Sequence, residues 1–156
     1  MPSVLFVCHG NICRSPMAEA IFKHKCLNAN IKDITVDSAG IIDYHKNDVP
    51  HKGTLDMLRE NGISIVGLKS RPVEKSDFRN FDLIIAMDKS NVSNLSKIKP
   101  KNATAQIKLL SAFVQDDWEE VPDPWYTGDF NLVYQMLEKA MNNVLNELNK
   151  YKPERT

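Results

Sequence analysis

The chain has 156 residues, of which 42% are hydrophobic and 26% are charged, the balance of an ordinary globular domain. Its 20 Lys and Arg residues balance 20 Asp and Glu residues, so the formal net charge is zero. A chain without net positive charge lacks the broad electrostatic surface that binds nucleic acid or anionic membranes. We therefore expect no nucleic-acid or membrane partner, and any anion must be bound locally by one loop.

The amino terminus and the cysteines indicate the compartment. The first residues, MPSVLFVCHG, place no basic segment before the apolar run, and no apolar stretch approaches the roughly 20 residues of a membrane span. The three cysteines (Cys8, Cys13 and Cys26) are an odd set crowded near the amino terminus, whereas a secreted disulfide scaffold spreads an even set. We expect a reduced, cytoplasmic protein whose residues 1–156 form a single domain.

Four short apolar segments predict β-strands, and the first of them is rich in β-branched and aromatic residues. In chain order they are residues 4–7, 34–36, 83–87 and 107–110. Helical signals fall between them. Ser15 is a favoured N-cap, and with Pro16 it opens the apolar-periodic stretch MAEAIFKHKCLN. Residues 51–61 predict a helix that Gly62 ends, and Ser90 is the expected cap of a shorter helix.

The carboxyl-terminal part of the chain predicts one long helix. From residue 129 to residue 151, apolar side chains recur at steps of three and four and so share one face. A stripe at this spacing is usually part of the core. We therefore expect the helix to cover the sheet and the protein to be a monomer or a weak oligomer.

Strands that alternate with helices predict an α/β fold: a three-layer, doubly wound, four-stranded parallel sheet with helices on both faces. Ligands bind such sheets beyond the carboxyl ends of the strands, where the strand order reverses. The loop after the first strand is therefore the expected site, and we interpret it as a phosphate-binding loop.

That loop, residues 8–15, reads CHGNICRS and separates a Cys from an Arg by five residues. Between a strand and a helix, a loop of this length can curl so that its N–H groups point inward and form an anion nest. The helix amino terminus also favours phosphate. Arg14 can donate two parallel hydrogen bonds to phosphate oxygens, and Gly10 permits the tight bend.

The same surroundings favour the thiolate form of Cys8, which makes it a nucleophile for phosphorus. Ser15 is placed to donate a hydrogen bond to that thiolate or to help it leave. Asn11 tolerates left-handed backbone angles and has a side-chain amide that can hold the loop. A lone Cys-x5-Arg is a weak signal, because an isolated buried cysteine is usually a small hydrophobe. The strand, the helix start and the Gly, Asn and Ser residues favour the catalytic interpretation.

A thiolate nucleophile needs an acid for its leaving group, and Asp123 is the best candidate. Pro122 and Pro124 bracket it and hold its loop. The neighbouring Trp125 and Tyr126 are expected to shield the carboxyl group from water and to wall an aromatic ring. The alternative is an ordinary Asp-Pro turn with surface aromatics.

Residues 8–15, followed by Pro16 and by the Ala-Glu-Ala of residues 18–20, closely resemble the signature of the low-molecular-weight protein-tyrosine phosphatases. The resemblance covers nearly the whole chain. It includes the segment VDSAG at residues 36–40, whose Ser38 matches a Ser that supports the family's phosphate loop. It also includes the strand exit at Met87-Asp88 with Ser90-Asn91 and the acid loop DPWY.

The resemblance implies a two-step hydrolysis of phosphotyrosine proteins without metal or cofactor. Cys8 forms a phosphocysteine, Asp123 acts first as acid and then as base, and Arg14 with the loop amides stabilises the transition state. Phosphate and other oxyanions are the expected active-site ligands. The expected substrate and phosphate contacts are His9, Gly10, Asn11, Ile12, Cys13, Ser15, Tyr44, Trp125 and Tyr126.

The sequence departs from the family pattern at two places. Many members carry a His between the second helix and the third strand that supports the phosphate-loop Asn. Here that region, residues 65–69, reads IVGLK, so the support of Asn11 is an open question. His9 occupies a position where an apolar residue is common, and we expect it to be solvated.

Two other enzyme classes share parts of this resemblance. Arsenate reductases of this type need a resolving cysteine pair later in the chain, and no cysteine follows Cys26. Protein-arginine phosphatases carry Thr at the position of Ile12, where an aliphatic residue accompanies phosphotyrosine activity. The aromatic pair after Asp123 also favours phosphotyrosine.

Two further classes fit less well. A binding module without turnover would have lost the nucleophile, the Arg or the acid, and all three are present. A zinc site at Cys8, Cys13, Cys26 and His24 lacks the paired ligand spacing of structural zinc. Cys13 instead suggests redox regulation through a disulfide with Cys8, the alternative being an inert, packed residue.

Overall fold

The computed structural model describes residues 1–151, and its sheet has four parallel strands in the order β2-β1-β3-β4. The strands are β1 (Ser3–Cys8), β2 (Thr35–Gly40), β3 (Leu83–Ala86) and β4 (Gln106–Leu109). This arrangement confirms the predicted doubly wound sheet. The chain moves from β1 to β2 on one side and then to β3 on the other, so the strand order reverses beside β1.

Helices alternate with these strands along the chain. They are α1 (Arg14–Asn28), α2 (Lys52–Glu60), α3 (Asp77–Asn80), α4 (Lys89–Ile98), α5 (Pro124–Thr127) and α6 (Phe130–Asn149). A single 3₁₀ turn at Leu110–Phe113 follows β4. Within residues 1–151 no helix has both the length and the apolar character needed to cross a membrane.

The alternation of β1 side chains divides the core into two layers. Val4 and Phe6 pack with side chains of α1, α2 and α6, whereas Leu5 and Val7 pack with those of α3 and α4. Since successive strand residues point to opposite faces, a strand with every residue buried must be covered on both sides. The three-layer prediction is therefore confirmed.

Two predicted helix caps are wrong. Helix α1 begins at Arg14, one residue before the expected Ser15 cap, and Cys13 occupies the N-cap position without a side-chain cap. The Ser15 hydroxyl instead contacts two side chains of the phosphate loop. Helix α4 is capped by Asp88, which accepts a hydrogen bond from the Asn91 N–H at 2.8 Å, and not by Ser90.

Other boundaries agree more closely with the sequence. Gly62 follows α2 with φ of +69°, a left-handed conformation that glycine adopts without steric cost. Strand β2 is longer than the predicted residues 34–36, because all six of its residues pair in register with β1. The predicted long helix is confirmed as α6. Val133, Leu137 and Val144 of its apolar stripe are fully buried, whereas Phe130, Tyr134 and Leu145 are partly buried against the core.

The buried stripe of α6 gives a test of the core. We expect Leu137→Ala to lower the free energy of unfolding by about 2–5 kcal/mol, because it removes a fully buried side chain and leaves a cavity. Leu27→Ala is the matched control, since Leu27 is 74% exposed, and it should change the free energy by at most ~0.5 kcal/mol. Urea unfolding measures both, and equal effects would contradict the assigned packing of α6.

Candidate active site

A cleft of about 270 Å³ opens at the carboxyl end of β1, where the fold places ligands. It brings together ten of the predicted site residues: Cys8, His9, Gly10, Ile12, Cys13, Arg14, Tyr44, Asp123, Trp125 and Tyr126. Ile42 and His45 also line it, and sequence reasoning missed both. The other predicted residues, Asn11, Ser15 and Ser38, are buried behind the loop instead.

The backbone carbonyls of the phosphate loop (residues 8–13) turn away from the cleft. Five of them accept hydrogen bonds from outside the loop: Cys8 from Ile41 N, His9 from Ile42 N, Gly10 from Ser70 Oγ, Ile12 from His51 N and Cys13 from Thr54 Oγ1. Among residues 1–151, no backbone carbonyl accepts a hydrogen bond from the amides of residues 9–13. With these carbonyls bonded outside the loop, the amides of residues 9–13 are left free to bind an anion, as the predicted anion nest requires.

Asn11 holds the loop from behind. Its backbone is left-handed, with φ of 57°, as its residue type allows. Its Nδ2 donates to Ser15 Oγ at 2.7 Å and to Ser38 Oγ at 2.9 Å, and its Oδ1 accepts from the Arg71 N–H at 3.0 Å. This answers the question raised by the missing histidine. Leu68 is buried in the core, and the backbone of Arg71 supports Asn11 instead.

A buried carboxylate fixes the direction of this network. Ser38 Oγ donates to Glu19 Oε1 at 2.6 Å, so its lone pairs are left to accept from Asn11. Glu19 is 3% exposed and pairs with Lys23 one helical turn away. Burial raises the pKa of Glu19, and the hydrogen bonds from Lys23 and Ser38 oppose that rise.

The nucleophile candidate lies at the end of this network. Ser15 Oγ accepts from Asn11 and lies 3.0 Å from Cys8 Sγ, so its own proton is available to a thiolate. The competing acceptor, the Ala39 carbonyl, is more distant at 3.4 Å. The arrangement can stabilise negative charge on Cys8 from the protein side, while the loop amides face the position of the phosphate.

Arg14 is 2% exposed and is held along one edge of its guanidinium group. Nη1 donates to Asp88 Oδ2 at 2.7 Å and to the Val121 carbonyl at 2.9 Å, and Nη2 lies 3.5 Å from Asp123 Oδ2. Nε has no partner in the described part of the chain. Nε and Nη2 together form the fork that binds two oxygens of one anion. Burial lowers the pKa of Arg14, but Cys8, Asp88 and Asp123 together raise it, so Arg14 stays charged.

Asp88 is a site residue that sequence reasoning missed. The only signal was its place in the Met87-Asp88 strand exit that resembles the family. In the fold its carboxylate both caps α4 and orients Arg14, through separate oxygens. Asp88 therefore connects the end of β3 to the predicted phosphate clamp.

Asp123 begins the one-turn helix α5. Its Oδ1 accepts from the Trp125 N–H at 3.1 Å, and Val121 N–H donates to the Met87 carbonyl at 2.9 Å, which anchors the loop to the end of β3. Trp125 is 56% exposed and Tyr126 is 81% exposed, so the expected shielding of Asp123 from water is incomplete. His9 is exposed, as expected.

The comparisons with known proteins agree with this geometry. A family model described as low molecular weight phosphotyrosine protein phosphatase matches residues 3–154. The chain belongs to this family. The low molecular weight protein-tyrosine-phosphatase YfkJ of Bacillus subtilis is 45% identical over 97% of this chain and 99% of its own length. PtpA of Staphylococcus aureus (strain MRSA252), another such phosphatase, is 41% identical over 96% of each chain.

Solved structures of the phosphatase family are similar in fold. The crystal structure of Bacillus subtilis YfkJ has a TM-score of 0.92 at 44% identity and covers 98% of each chain. The crystal structure of DARP, described as a Drosophila arginine phosphatase, has a TM-score of 0.86 at 34% identity and covers 97% of this chain and 99% of that one. The family fold therefore carries more than one named phosphatase activity.

Gly40 gives a test of the phosphatase loop geometry. A Cβ at this position would lie 2.9 Å from the Gly10 carbonyl carbon and 3.0 Å from Asn11 N, so Gly40→Ala must push the loop backbone aside. We expect inorganic phosphate to bind at least about tenfold more weakly, a loss of ~1.4 kcal/mol of amide contacts. Calorimetric titration measures this affinity.

Gly62→Ala is the control for this substitution. Gly62 has a left-handed backbone, with φ of +69°, and a Cβ there meets open space. It should lower stability and leave phosphate affinity unchanged. Unchanged affinity in Gly40→Ala would contradict the close approach of β2 to the loop.

Proposed function

We propose that the chain hydrolyses phosphotyrosine in proteins through a phosphocysteine intermediate, with Cys8 as nucleophile, Arg14 as phosphate clamp and Asp123 as general acid and base. One observation carries the proposal. Cys8 Sγ lies in a loop whose amides at residues 9–13 have no backbone partner in the described part of the chain, and the Nε–Nη2 edge of Arg14 lies beside Asp123, with Nη2 3.5 Å from Asp123 Oδ2. A nucleophile, an oxyanion site and an acid thus meet in one cleft.

The first step transfers the phosphoryl group to sulfur. The Cys8 thiolate attacks phosphorus, the bond from phosphorus to the tyrosine oxygen breaks, and protonated Asp123 gives its proton to that oxygen. In the second step water attacks phosphorus, Asp123 accepts a proton from it, and the sulfur–phosphorus bond breaks. The Ser15 hydroxyl, 3.0 Å from Cys8 Sγ, stabilises the departing thiolate. The loop amides and Arg14 bind the equatorial oxygens in both steps.

The walls of the cleft support an aromatic substrate. Tyr44, Trp125 and Tyr126 surround its mouth, and Ile12 contributes an aliphatic side chain beside the nucleophile. Aromatic walls bind a phenyl ring by stacking and by burial of apolar surface. Phosphoarginine is the comparison substrate, because an arginine phosphatase is among the similar structures.

The proposal extends to the whole chain and its surroundings. We assign residues 1–156 to a single phosphatase domain, which the match to residues 3–154 supports; residues 152–156 lie outside the described residues. The partners are phosphotyrosine proteins, with phosphate and other oxyanions as active-site ligands. The mechanism requires Cys8 as a free thiol, so we propose a reducing compartment, the cytoplasm.

The mechanism is tested by phosphate release from a phosphotyrosine peptide and from phosphoarginine. The wild type should release phosphate from the peptide faster. Cys8→Ser should abolish release, and Asp123→Ala should lower kcat by about 10²–10⁴-fold, because the phenolate then leaves without a proton. Preference for phosphoarginine would keep the nucleophile and overturn the substrate assignment. Turnover by Cys8→Ser would overturn the mechanism.

Redox control of Cys8 by Cys13 stays a prediction with a separate test. Both are buried free thiols, and burial, followed by Cys8 and Asp123, raises the pKa of Cys13 to about 12. Cys13 is therefore mostly a neutral thiol at pH 7, and since the thiolate is the attacking form, only its small thiolate fraction condenses with the sulfenic acid of Cys8 to give a disulfide and hydroxide. After brief peroxide treatment, thiol reductant should restore wild-type activity but not that of Cys13→Ser. Equal recovery of both would exclude the disulfide.

A further inference from the structure

His51 connects the phosphate loop to the loop that carries Asp123. Its backbone N–H donates to the Ile12 carbonyl at 2.7 Å, which is part of the outward anchoring of the phosphate loop. Its imidazole ring extends to the other side of the cleft. There the ring lies edge-on to Trp125, with centroids 5.6 Å apart, and stacks on Phe130 at 4.9 Å.

The orientation of the His51 ring is fixed by a hydrogen bond. His51 is the N-cap of α2, and its Nδ1 accepts from the Gly53 N–H at 3.0 Å. An N-cap bond of this kind satisfies one of the free amides at the helix start and at the same time holds the side chain that supplies it. The ring therefore presents a defined edge and face to Trp125 and Phe130.

Gly53 makes room for this arrangement. A Cβ at Gly53 would lie 2.4–2.6 Å from three ring carbons of Phe130, so only glycine lets the Phe130 ring pack over the start of α2. Phe130 is the first residue of α6 and directly follows the acid loop (residues 121–129). The acid loop is thus anchored to β3 at its first residue and to His51 just beyond its last.

The conformation of the Trp125 side chain depends on contacts with neighbouring rings. It is 56% exposed, and its ring contacts the rings of His51 and of His45, with the His45 centroid 6.2 Å away. A large, half-exposed side chain loses rotamer entropy when it is held in one conformation. The two ring contacts offset that loss before any substrate arrives, so the indole is already placed as a wall of the cleft.

We propose that His51 is a positioning residue that holds Trp125 as an aromatic wall and thereby sets the preference for aryl over alkyl phosphates. The inference rests on the proposed phosphatase function. The role of His51 can be tested separately from hydrolysis, because the aromatic wall affects binding of the organic group of a ligand and that binding does not require turnover. The side chain of His51 acts on the wall, while its backbone N–H continues to anchor the phosphate loop in every side-chain variant.

The test compares the affinities of benzylphosphonate and ethylphosphonate, two ligands that cannot be hydrolysed. His51→Asn keeps an N-cap residue and removes the ring, and should lower the benzyl-to-ethyl affinity ratio by about three- to tenfold. His51→Phe keeps a ring and removes the cap, and should retain the ratio within about twofold while lowering the melting temperature. Gly53→Ala displaces Phe130 and should lower the ratio as His51→Asn does. Inorganic phosphate affinity should stay constant in all three.

A double-mutant cycle asks whether His51 acts through Trp125. In a Trp125→Ala background, His51→Asn should have no further effect on the ratio, because the wall is already absent. His24→Asn is the matched control, since His24 lies on α1 and does not line the cleft. In a Trp118→Phe background, Trp125 is the one tryptophan left, and His51→Asn should make its fluorescence easier to quench with acrylamide.

Two results would overturn the inference: an unchanged ratio in His51→Asn, or a drop that persists undiminished in the Trp125→Ala background. The proposed function fails differently. A wild type that prefers benzylphosphonate and loses that preference in His51→Asn, yet releases no phosphate from phosphotyrosine, would support the wall and refute hydrolysis. A wild type that binds neither phosphonate would refute both.

Discussion

The site depends on one constraint, that the carbonyls of the phosphate loop must find donors outside the cleft. A buried carbonyl without a donor costs free energy, and a carbonyl turned inward would repel phosphate. Three separate segments provide the donors: the exit of β2 at residues 41–42, the start of α2 at residues 51–54, and Ser70 in the connection to α3. These segments surround the loop because the sheet order places β2 beside β1. The anion nest is therefore a property of the whole fold.

The buried side chains behind the loop must also pair each donor with an acceptor. Glu19 accepts from Ser38, Ser38 accepts from Asn11, and Asn11 donates to Ser15, which leaves the Ser15 proton for Cys8. Each hydroxyl can donate only once and the amide nitrogen of Asn11 can only donate, so both hydroxyls accept from Asn11 and direct their own protons elsewhere, Ser38 to Glu19 and Ser15 towards Cys8. A neutral acceptor in place of Glu19 would bind the Ser38 proton less strongly and would fix the direction of that hydrogen bond less firmly. Burial raises the pKa of Glu19, and the hydrogen bonds from Lys23 and Ser38 oppose that rise.

Local patterns in the sequence were enough to predict the strands, the long helix and the phosphate loop, because periodicity and turn residues act within a few positions. They failed for Ser15, whose hydroxyl contacts Asn11 and Cys8 instead of capping a helix. They failed for Ser90 because Asp88, two residues earlier, is the side chain that caps α4. The short helices α3 and α5 span about one turn each and leave no periodicity to detect. The contact of Arg14 with Asp88 crosses 74 positions, and no local pattern predicts such a pair. His51 was missed for the same reason, because its partners come from two distant segments, the phosphate loop and residues 125–130.

The buried guanidinium of Arg14 links substrate binding to the acid. Its Nη1 is committed to Asp88 and to the Val121 carbonyl, so an incoming phosphate must use Nε and Nη2. Asp123 lies 3.5 Å from Nη2, at the long end of a hydrogen bond, and is therefore a weak competitor for that nitrogen. A phosphate dianion on the same edge competes with the carboxylate for Nη2 and repels it. In the proposed mechanism, the anion that Arg14 binds thus releases Asp123 from the guanidinium group, while the anchored loop keeps the carboxyl group within reach of the leaving oxygen.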